Sequence, residues 1–310
     1  MKKLVAVSLA VAFVSGCAVG PDYKQPPVNA PAQYHEVQGP PAPAGSLADQ
    51  FWWEVFQDET LRQLIDEALL TSYDVQIAAW RVEEARARGG IARSEFFPQV
   101  FYGGQYSRSQ QSSYALPGTH ETVNLNSVNV NFNWELDVWG RIRRLSEVAK
   151  AQYLATEDAR RGVLLSLVSD VASTYFRLRE LDEELEISKK TADAFQGTAK
   201  LFERKLSEGA ASALETSYDS AAYKQVAATV PEIERQIEAT ENVLNVLLGR
   251  NPAAVARGRT LEQASVPPEV PAGLPSDLLQ RRPDIRQAEQ ELIAANAGVG
   301  VATANFFPSI

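Results

Sequence analysis

The stretch Asp74–Pro98, DVQIAAWRVEEARARGGIARSEFFP, has a second copy in this chain at Asp284–Pro308, DIRQAEQELIAANAGVGVATANFFP. The two segments align without a gap at an offset of 210 residues, and they share an aspartate, four alanines, a glycine and the closing Phe-Phe-Pro. A duplicated unit normally reuses one supersecondary element, so we predict an internal duplication in which each copy is a helix that runs into a Phe-Phe-Pro break. Only two residues follow Pro308. We therefore expect an incomplete second repeat and a C-terminally truncated piece of a longer protein.

The N-terminus has the features of a bacterial secretory signal. Two lysines precede the apolar run Leu4–Val14, which is too short to span a bilayer, and residues 1–16 are predicted to be a signal peptide. The sequence Val-Ser-Gly-Cys ending at Cys17 has the form of a lipoprotein signal. The alternative is that Cys17 is an ordinary small apolar residue of the signal. Cys17 is the one cysteine of the chain, and we expect it to be lipidated and to become the mature N-terminus.

Composition excludes several classes of function. Removal of the signal leaves 28 of the 30 basic residues against 39 acidic ones, a net charge of −11, which disfavours nucleic acid as a partner. With Cys17 acylated, no thiol is left for a disulfide, a metal or nucleophilic catalysis. The two histidines, His35 and His120, have no second metal ligand near them in sequence. No catalytic constellation is visible, so the sequence predicts neither an enzyme nor a bound cofactor.

Periodicity divides the chain into segments of different structure, and the predicted fold class is α+β, mainly α. The segments are a lipidated N-terminal tether over 17–46, N-terminal helices over 47–95, two strands over 96–136, a long helical hairpin over 137–250, a Pro-rich loop over 251–275, and the start of the second repeat over 276–310. The second strand alternates cleanly between apolar residues such as Val130 and Phe132 and polar ones such as Asn129 and Asn131. A soluble sandwich and a membrane barrel both fit that alternation.

The helical hairpin is the second strong signal. Residues 141–208 contain no proline and only two glycines, which predicts a helix of about 100 Å. Its apolar and small residues repeat in a heptad pattern, which fits either helices set side by side in a wide ring or a plain antiparallel hairpin. The pattern includes Leu178, Leu181 and Phe202. Gly209 suits a helix C-cap, Ser212 can cap the following helix, and Pro231 should kink that helix or mark a join.

Four motifs carry a resemblance to a known family. They are CAVGPDY at Cys17–Tyr23, WELDVWGR at Trp134–Arg141, LLGRNP at Leu247–Pro252 and LPSDLLQRRPDI at Leu274–Ile285. In this order they resemble the outer-membrane efflux lipoproteins of the NodT branch of the outer membrane factor family, which are TolC- and OprM-like. In bacterial lipoproteins resembling this one, an aspartate after the acylated cysteine favours the inner membrane. Ala18 therefore favours the outer membrane.

The resemblance implies a homotrimer with four strands per protomer in one shared twelve-stranded barrel, above a periplasmic tunnel of long helices. Residues Val100 to about Arg108 and Val123–Trp134 would be the first two strands of a transmembrane β-barrel, and 251–275 an equatorial-type loop. The family's acidic constriction would lie beyond Ile310, so no gate residue is assigned. Six strands per trimer are too few for a wide pore, so we expect no conductance from 310 residues alone. Without a second hairpin, we also expect Leu178, Leu181 and Phe202 to be partly exposed.

The implied function is a passive outer-membrane channel subunit of a tripartite efflux system. Its expected partners are outer-membrane lipid, a periplasmic adaptor protein and an inner-membrane pump. The expected localisation is the cell outer membrane, with a lipid anchor and a long periplasmic extension. The predicted adaptor-contact tip is Gly209, Ala210, Ala211 and Ser212, against the alternative that these residues only make a turn. The alternative function is a periplasmic adaptor lipoprotein with a helical hairpin.

Overall fold

The computed structural model describes residues 18–29, 57–110, 122–263 and 279–310. Within these ranges the chain is mainly helical and contains one two-stranded antiparallel sheet. In chain order the elements are α1 (Glu59–Thr71), α2 (Tyr73–Ser94), β1 (Gln99–Gln110), β2 (Thr122–Asn133), α3 (Arg141–Ser207), α4 (Ala213–Ala227), α5 (Thr229–Leu247), a 3-10 turn (Leu261–Gln263) and α6 (Pro283–Ala304). The predicted fold class is confirmed.

The internal duplication is visible in the backbone. Helices α2 and α6 each contain 22 residues, and both of their ends differ by the offset of 210 found in the sequence. Each helix closes on the same pair of turn hydrogen bonds. Phe96 N–H donates to Arg93 O at 3.2 Å and Phe97 N–H to Ser94 O at 3.0 Å, and the equivalent bonds at Phe306 and Phe307 have the same two lengths. The repeated sequence therefore specifies a repeated helix and a repeated exit turn.

The described residues separate into two compact units. Of the described residues, the first unit contains 18–28, 81–110, 122–157 and 286–310, and the second contains 29, 57–80, 158–263 and 279–285. In the second unit, α1 packs its buried face against α3 and α5. The core of this unit consists of Leu61, Leu64, Ile65, Ala68, Leu167, Val171, Ala172, Tyr175, Leu178, Leu244, Leu248 and Val255.

This core corrects one expectation about the hairpin seam. Leu178 and Leu181 are buried, at 0% and 1% relative exposure, although the sequence led us to expect partial exposure. Leu178 belongs to the core that α1 and α5 share with α3, so elements of this chain cover it and no second hairpin is needed there. Further along α3 the apolar seam is less buried, and Phe195 and Leu206 are each 39% exposed.

A buried polar cluster closes the second unit beside the core. The Tyr175 hydroxyl donates to Asp58 at 3.0 Å and accepts from the Gly258 N–H at 3.0 Å. Burial raises the pKa of Tyr175 to about 12, so the phenol stays protonated and keeps both bonds. Arg257 bonds Asp182 and Glu241, which ties the loop after α5 to α3 and α5.

The second arm of the helical hairpin consists of two helices rather than one. Helix α4 ends at Ala227 and α5 begins at Thr229, with Pro231 in the first turn of α5. A proline fits there because the first helical N–H groups have no intrahelical acceptor, whereas it would break the interior of one continuous helix. The predicted join at Pro231 is confirmed.

Candidate functional site

The tip of the hairpin is a tight helix C-cap formed by Gly209 and Ala210. Gly209 has φ +72°, the left-handed conformation that glycine adopts without strain. Its N–H donates to Leu206 O at 3.0 Å, and the Ala210 N–H reaches back to Lys205 O at 2.7 Å. This pair of bonds is a Schellman motif, which satisfies the last carbonyls of α3. The predicted helix end at Gly209 is confirmed.

The next helix starts with a capping box. The Ser212 hydroxyl accepts from the Glu215 N–H at 3.2 Å, and the Glu215 carboxylate accepts from the Ser212 N–H at 2.8 Å. The hydrogen bonds from Ser212 lower the pKa of Glu215. Two caps within four residues make the tip a defined structure although it is exposed.

Two exposed apolar side chains lie beside the tip and were not predicted from the sequence. Leu214 and Tyr218 are 66% and 70% exposed, and their spacing of four residues places them on one face of α4. The sequence contained a usable signal, because these two residues fall outside the seam positions that pack against α3. Together with the tip residues they form a surface of two capped helix ends and two unpacked apolar groups.

Polar contacts across the hairpin fix the position of the tip. Lys189 pairs with Glu234 at 2.8 Å, the Gln196 amide donates to the Tyr223 hydroxyl at 3.1 Å, and the Thr216 hydroxyl donates to Phe202 O at 3.5 Å. The closer a pair lies to the tip, the fewer residues separate its two members in the sequence. Helix α3 therefore runs antiparallel to α4 and α5 in a single register. The tip residues are thereby held at the end of a paired helical stalk.

Strands β1 and β2 form a regular ribbon that pairs Gln99 with Asn133 and Gln110 with Thr122. Val100, Tyr102, Val130 and Phe132 share one face near the helices, while the opposite face carries Asn129 and Asn131. Gly103 lies opposite Asn129, and a Cβ at Gly103 would lie 2.9 Å from the Asn129 amide oxygen. The predicted alternation holds from Ser127 to Asn133. Towards the start of β2 it reverses, because Val123 and Leu125 share the face of Asn129 and Asn131 in this unbroken register.

Aromatic residues line the base of this ribbon in the first unit. Trp134 donates its indole N–H to Phe96 O at 3.1 Å, and Trp139 donates to Pro308 O at 3.0 Å. The Trp139 ring stacks on Phe307 with 4.6 Å between centroids. Both Phe-Phe-Pro breaks thus receive a tryptophan hydrogen bond below the strands, and large amphipathic rings in such a position are typical of a membrane interface.

Other predicted residues fall outside the described part of the chain. Cys17, His35 and His120 are among them. Within the described ranges, no cluster of three or more His, Cys, Asp or Glu side chains is arranged to hold a metal ion. None of the helices described combines the length and the apolar composition that a membrane crossing requires.

Comparison with known proteins identifies the family. A family model described as outer membrane efflux protein matches residues 64–250, which is more than half of the chain. This chain belongs to the outer membrane efflux protein family. The predicted resemblance is therefore confirmed, and membership favours a membrane barrel over a sandwich for β1 and β2.

The relatives and solved structures that match are outer-membrane efflux proteins. The chain is 35% identical to the probable efflux pump outer membrane protein TtgC of Pseudomonas putida, over 100% of this chain and 65% of that protein. It is 33% identical to the cation efflux system protein CusC of Escherichia coli K12, over 99% of this chain and 66% of that protein. The structure of the outer-membrane channel OprN matches with a TM-score of 0.78 and 31% identity, covering 94% of this chain and 65% of that one.

The structure of CusC matches with a TM-score of 0.77 and 31% identity, over 94% of this chain and 65% of that one. The chain thus spans about two thirds of the length of these relatives. The family's members are efflux proteins of the outer membrane rather than enzymes, and this membership favours the channel component over the adaptor alternative.

Proposed function

We propose that the protein is the outer-membrane channel subunit of a tripartite efflux system, a passive trimeric duct for substrates that an inner-membrane pump and a periplasmic adaptor deliver. The main observation behind this proposal is that one chain joins two paired strands of 12 residues each to a helix of 67 residues. Strands of about 10 residues are long enough to cross a bilayer, and a helix of about 100 Å exceeds the needs of a globular core. One element suits the membrane and the other suits the space below it.

The residues on the two faces of the ribbon suit a barrel wall that separates lipid from water. In the part of the ribbon near the helices, the face with Val130 and Phe132 would contact lipid, and the face with Asn129 and Asn131 would line a water-filled lumen. Both strands are exposed along nearly their whole length in the single chain, so their free edges require further strands. Strands of two neighbouring subunits in a homotrimer would supply part of that closure.

The membrane anchor in this proposal is the acylated Cys17. Two or three acyl chains hold a protein stably at a bilayer, since each buried methylene contributes about 0.8 kcal/mol. The signal peptide 1–16, the tether 17–46 and the periplasmic hairpin 137–250 then have distinct roles in secretion, anchoring and tunnel formation.

The tip residues Gly209, Ala210, Ala211 and Ser212 form the adaptor contact, and Leu214 and Tyr218 extend it. Two capped helix ends cost little to desolvate because their backbone groups already have partners. The exposed Leu214 and Tyr218 side chains provide apolar area that an adaptor helix could bury.

Site-directed crosslinking tests this proposal. In the protein expressed from its complete gene, Ala210→Cys or Ala211→Cys should form crosslinks to the cognate adaptor in intact cells. Asp193→Cys is the matched control, because Asp193 is also exposed on α3 but lies 17 positions before Ala210. A Leu214→Ser, Tyr218→Ser double variant should weaken the tip crosslinks severalfold. Equal crosslinking from Asp193 and the tip would refute adaptor docking at the tip.

A further inference from the structure

The segment Ala18–Tyr23, which directly follows Cys17, is fastened to the first unit. The Val19 N–H donates to Trp139 O at 3.1 Å, and the Asn296 amide donates to Pro21 O at 2.9 Å. The Tyr23 hydroxyl donates to Glu289 at 3.3 Å. Both the start of α3 and the length of α6 therefore hold a segment that the sequence presents as part of a loose tether.

Arg144 is the centre of this attachment. Its guanidinium donates to Val19 O and Gly20 O, each at 3.3 Å, and to the Asp22 carboxylate at 2.7 Å. A fourth bond, at 2.9 Å, goes to Glu147 in the next turn of α3. Arg144 is only 5% exposed, and three of its four acceptors belong to the segment. The arginine is thus placed to bind the segment rather than to support α3.

The fit between segment and helices requires glycine on both sides. Gly20 has φ +94°, and a Cβ there would lie 2.4 Å from the Gly300 Cα. A Cβ on Gly300 would lie 2.8 Å from the Arg144 side chain, and one on Gly140 would lie 2.6 Å from Ala18. No side chain can approach that closely, so these glycines allow backbone to lie against backbone.

We propose that α3 and α6 form a docking slot for Ala18–Tyr23, in which Arg144 is the positioning residue that fixes the lipidated N-terminus at the base of the strands. The occupant is this chain's own segment. The proposal rests on the acylation of Cys17 proposed above, and it adds where the acyl chains leave the protein.

The slot sets the depth of the anchor. Ala18 lies against Gly140, next to the Trp139 ring that stacks on Phe307. Ala18 directly follows the acylated residue in sequence, and consecutive Cα atoms are about 3.8 Å apart, so holding Ala18 limits how far the anchor can move from this aromatic level. The acyl chains would therefore enter the bilayer at the level of the rings, and a subunit bound in this way could not shift vertically against its own anchor.

Spin labelling tests the slot in the complete protein reconstituted into phospholipid vesicles. Because an acylated Cys17 has no free thiol, Lys24→Cys offers a single site for a nitroxide just beyond the slot. The label should give a mainly immobilised spectrum, and Gly300→Ala should remove that component. Gly298→Ala is the matched control in the same helix, since a Cβ at Gly298 would meet nothing within 4 Å.

Two further variants make the result decisive. Gly20→Ala changes only the segment, so it should also mobilise the label while the helical content and melting temperature stay unchanged. Arg144→Met should do the same if Arg144 positions the segment. A label that stays immobilised in Gly300→Ala and Gly20→Ala, or becomes equally mobile in Gly298→Ala, would overturn the slot. Immobilisation retained in Arg144→Met alone would overturn the role of Arg144.

Intact mass separates failure of the slot from failure of the proposed anchor. Acylated protein should show lipid mass on Cys17 and one nitroxide. Two nitroxides and no lipid would show that Cys17 is a free thiol, which would contradict the proposed anchoring whatever the mobility of the label at position 24.

Discussion

The two copies of the repeated helix have matching backbones, but their closest glycine contacts lie at opposite ends. Just before the first copy, Gly249 lies so close to Thr71, the last residue of α1, that a Cβ would be 2.4 Å from the Thr71 carbonyl oxygen. In the second copy the contact is near the end, where Gly300 lies against Gly20 and Arg144. The equivalent of Gly300 in the first copy is Gly90, and a Cβ there would meet nothing within 4 Å.

This difference shows which properties a duplication preserves. Helix ends and exit turns depend on local sequence, so both copies keep them. Partners depend on residues elsewhere in the chain, so each copy acquires its own. The first copy begins beside the end of the hairpin, where the Thr71 hydroxyl donates to Leu248 O at 2.6 Å, and the second ends beside the anchoring segment.

The largest expected effect comes from closing the space at the start of the first copy. Gly249→Ala should destabilise the protein by roughly 2–3 kcal/mol, because the residue has φ +67° and its Cβ would collide with backbone. Thermal unfolding in detergent, monitored by the circular dichroism signal of the helices, would measure this loss of stability.

Gly209→Ala is the control for that substitution. Gly209 ends its helix with the same pattern of backbone hydrogen bonds and φ +72°, but a Cβ there would meet nothing within 4 Å. Gly209→Ala should lower the stability only by the strain of an alanine in the left-handed conformation, about 1 kcal/mol. Equal losses at both glycines would show that the contact with Thr71 adds nothing.

The sequence predicts the local part of this architecture well. The helix end at Gly209, the cap at Ser212 and the break at Pro231 are each encoded by residue types that act within one helical turn. The alternation of faces from Ser127 to Asn133 in β2 likewise follows from a period of two. These features are confirmed because the chemistry that determines them lies within a few residues.

The contacts that distinguish the two copies could not be predicted in the same way. Arg144 and Asp22 are 122 residues apart, and the sequence around either gives no indication of the other. The burial of Leu178 was wrongly predicted for a related reason, because heptad spacing shows that a face is apolar without showing which element covers it. Leu214 and Tyr218 beside the tip lie outside the seam positions, so the sequence could have identified them, but only the structure shows how exposed they are.

A smaller effect should distinguish Gly90 from Gly300, which occupy the same repeat position. Gly90→Ala should stabilise the protein by about 0.5–1 kcal/mol, as alanine does at an open helical site. Gly300→Ala should lose that gain and destabilise slightly, since the new methyl group would displace Arg144. Paired melting curves would show the difference. A loss at Gly90 as large as that at Gly300 would mean that a neighbouring subunit fills the groove beside the first copy.

The smallest expected effect lies at the start of the second copy, where an exposed ion pair stands in place of packing. Arg282 bonds Asp284 at 2.5 Å, and both side chains are more than half exposed. Exposed pairs contribute little, so Arg282→Ala should leave the melting temperature at pH 7 nearly unchanged, in contrast to Gly249→Ala at the equivalent end of the first copy.

Acid titration would reveal what this pair does contribute. The hydrogen bond from Arg282 lowers the pKa of Asp284, so the folded state holds the carboxylate ionised to lower pH than the unfolded chain does. The stabilisation is therefore present above the aspartate's ordinary pKa of about 4 and is lost as the pH falls through the lowered value. The melting curves of the parent protein and Arg282→Ala should differ slightly above pH 4 and converge below it. Asp74→Asn, at the equivalent position of the first copy, is the control, and a pH-dependent difference of the same size there would show that the ion pair is not its source.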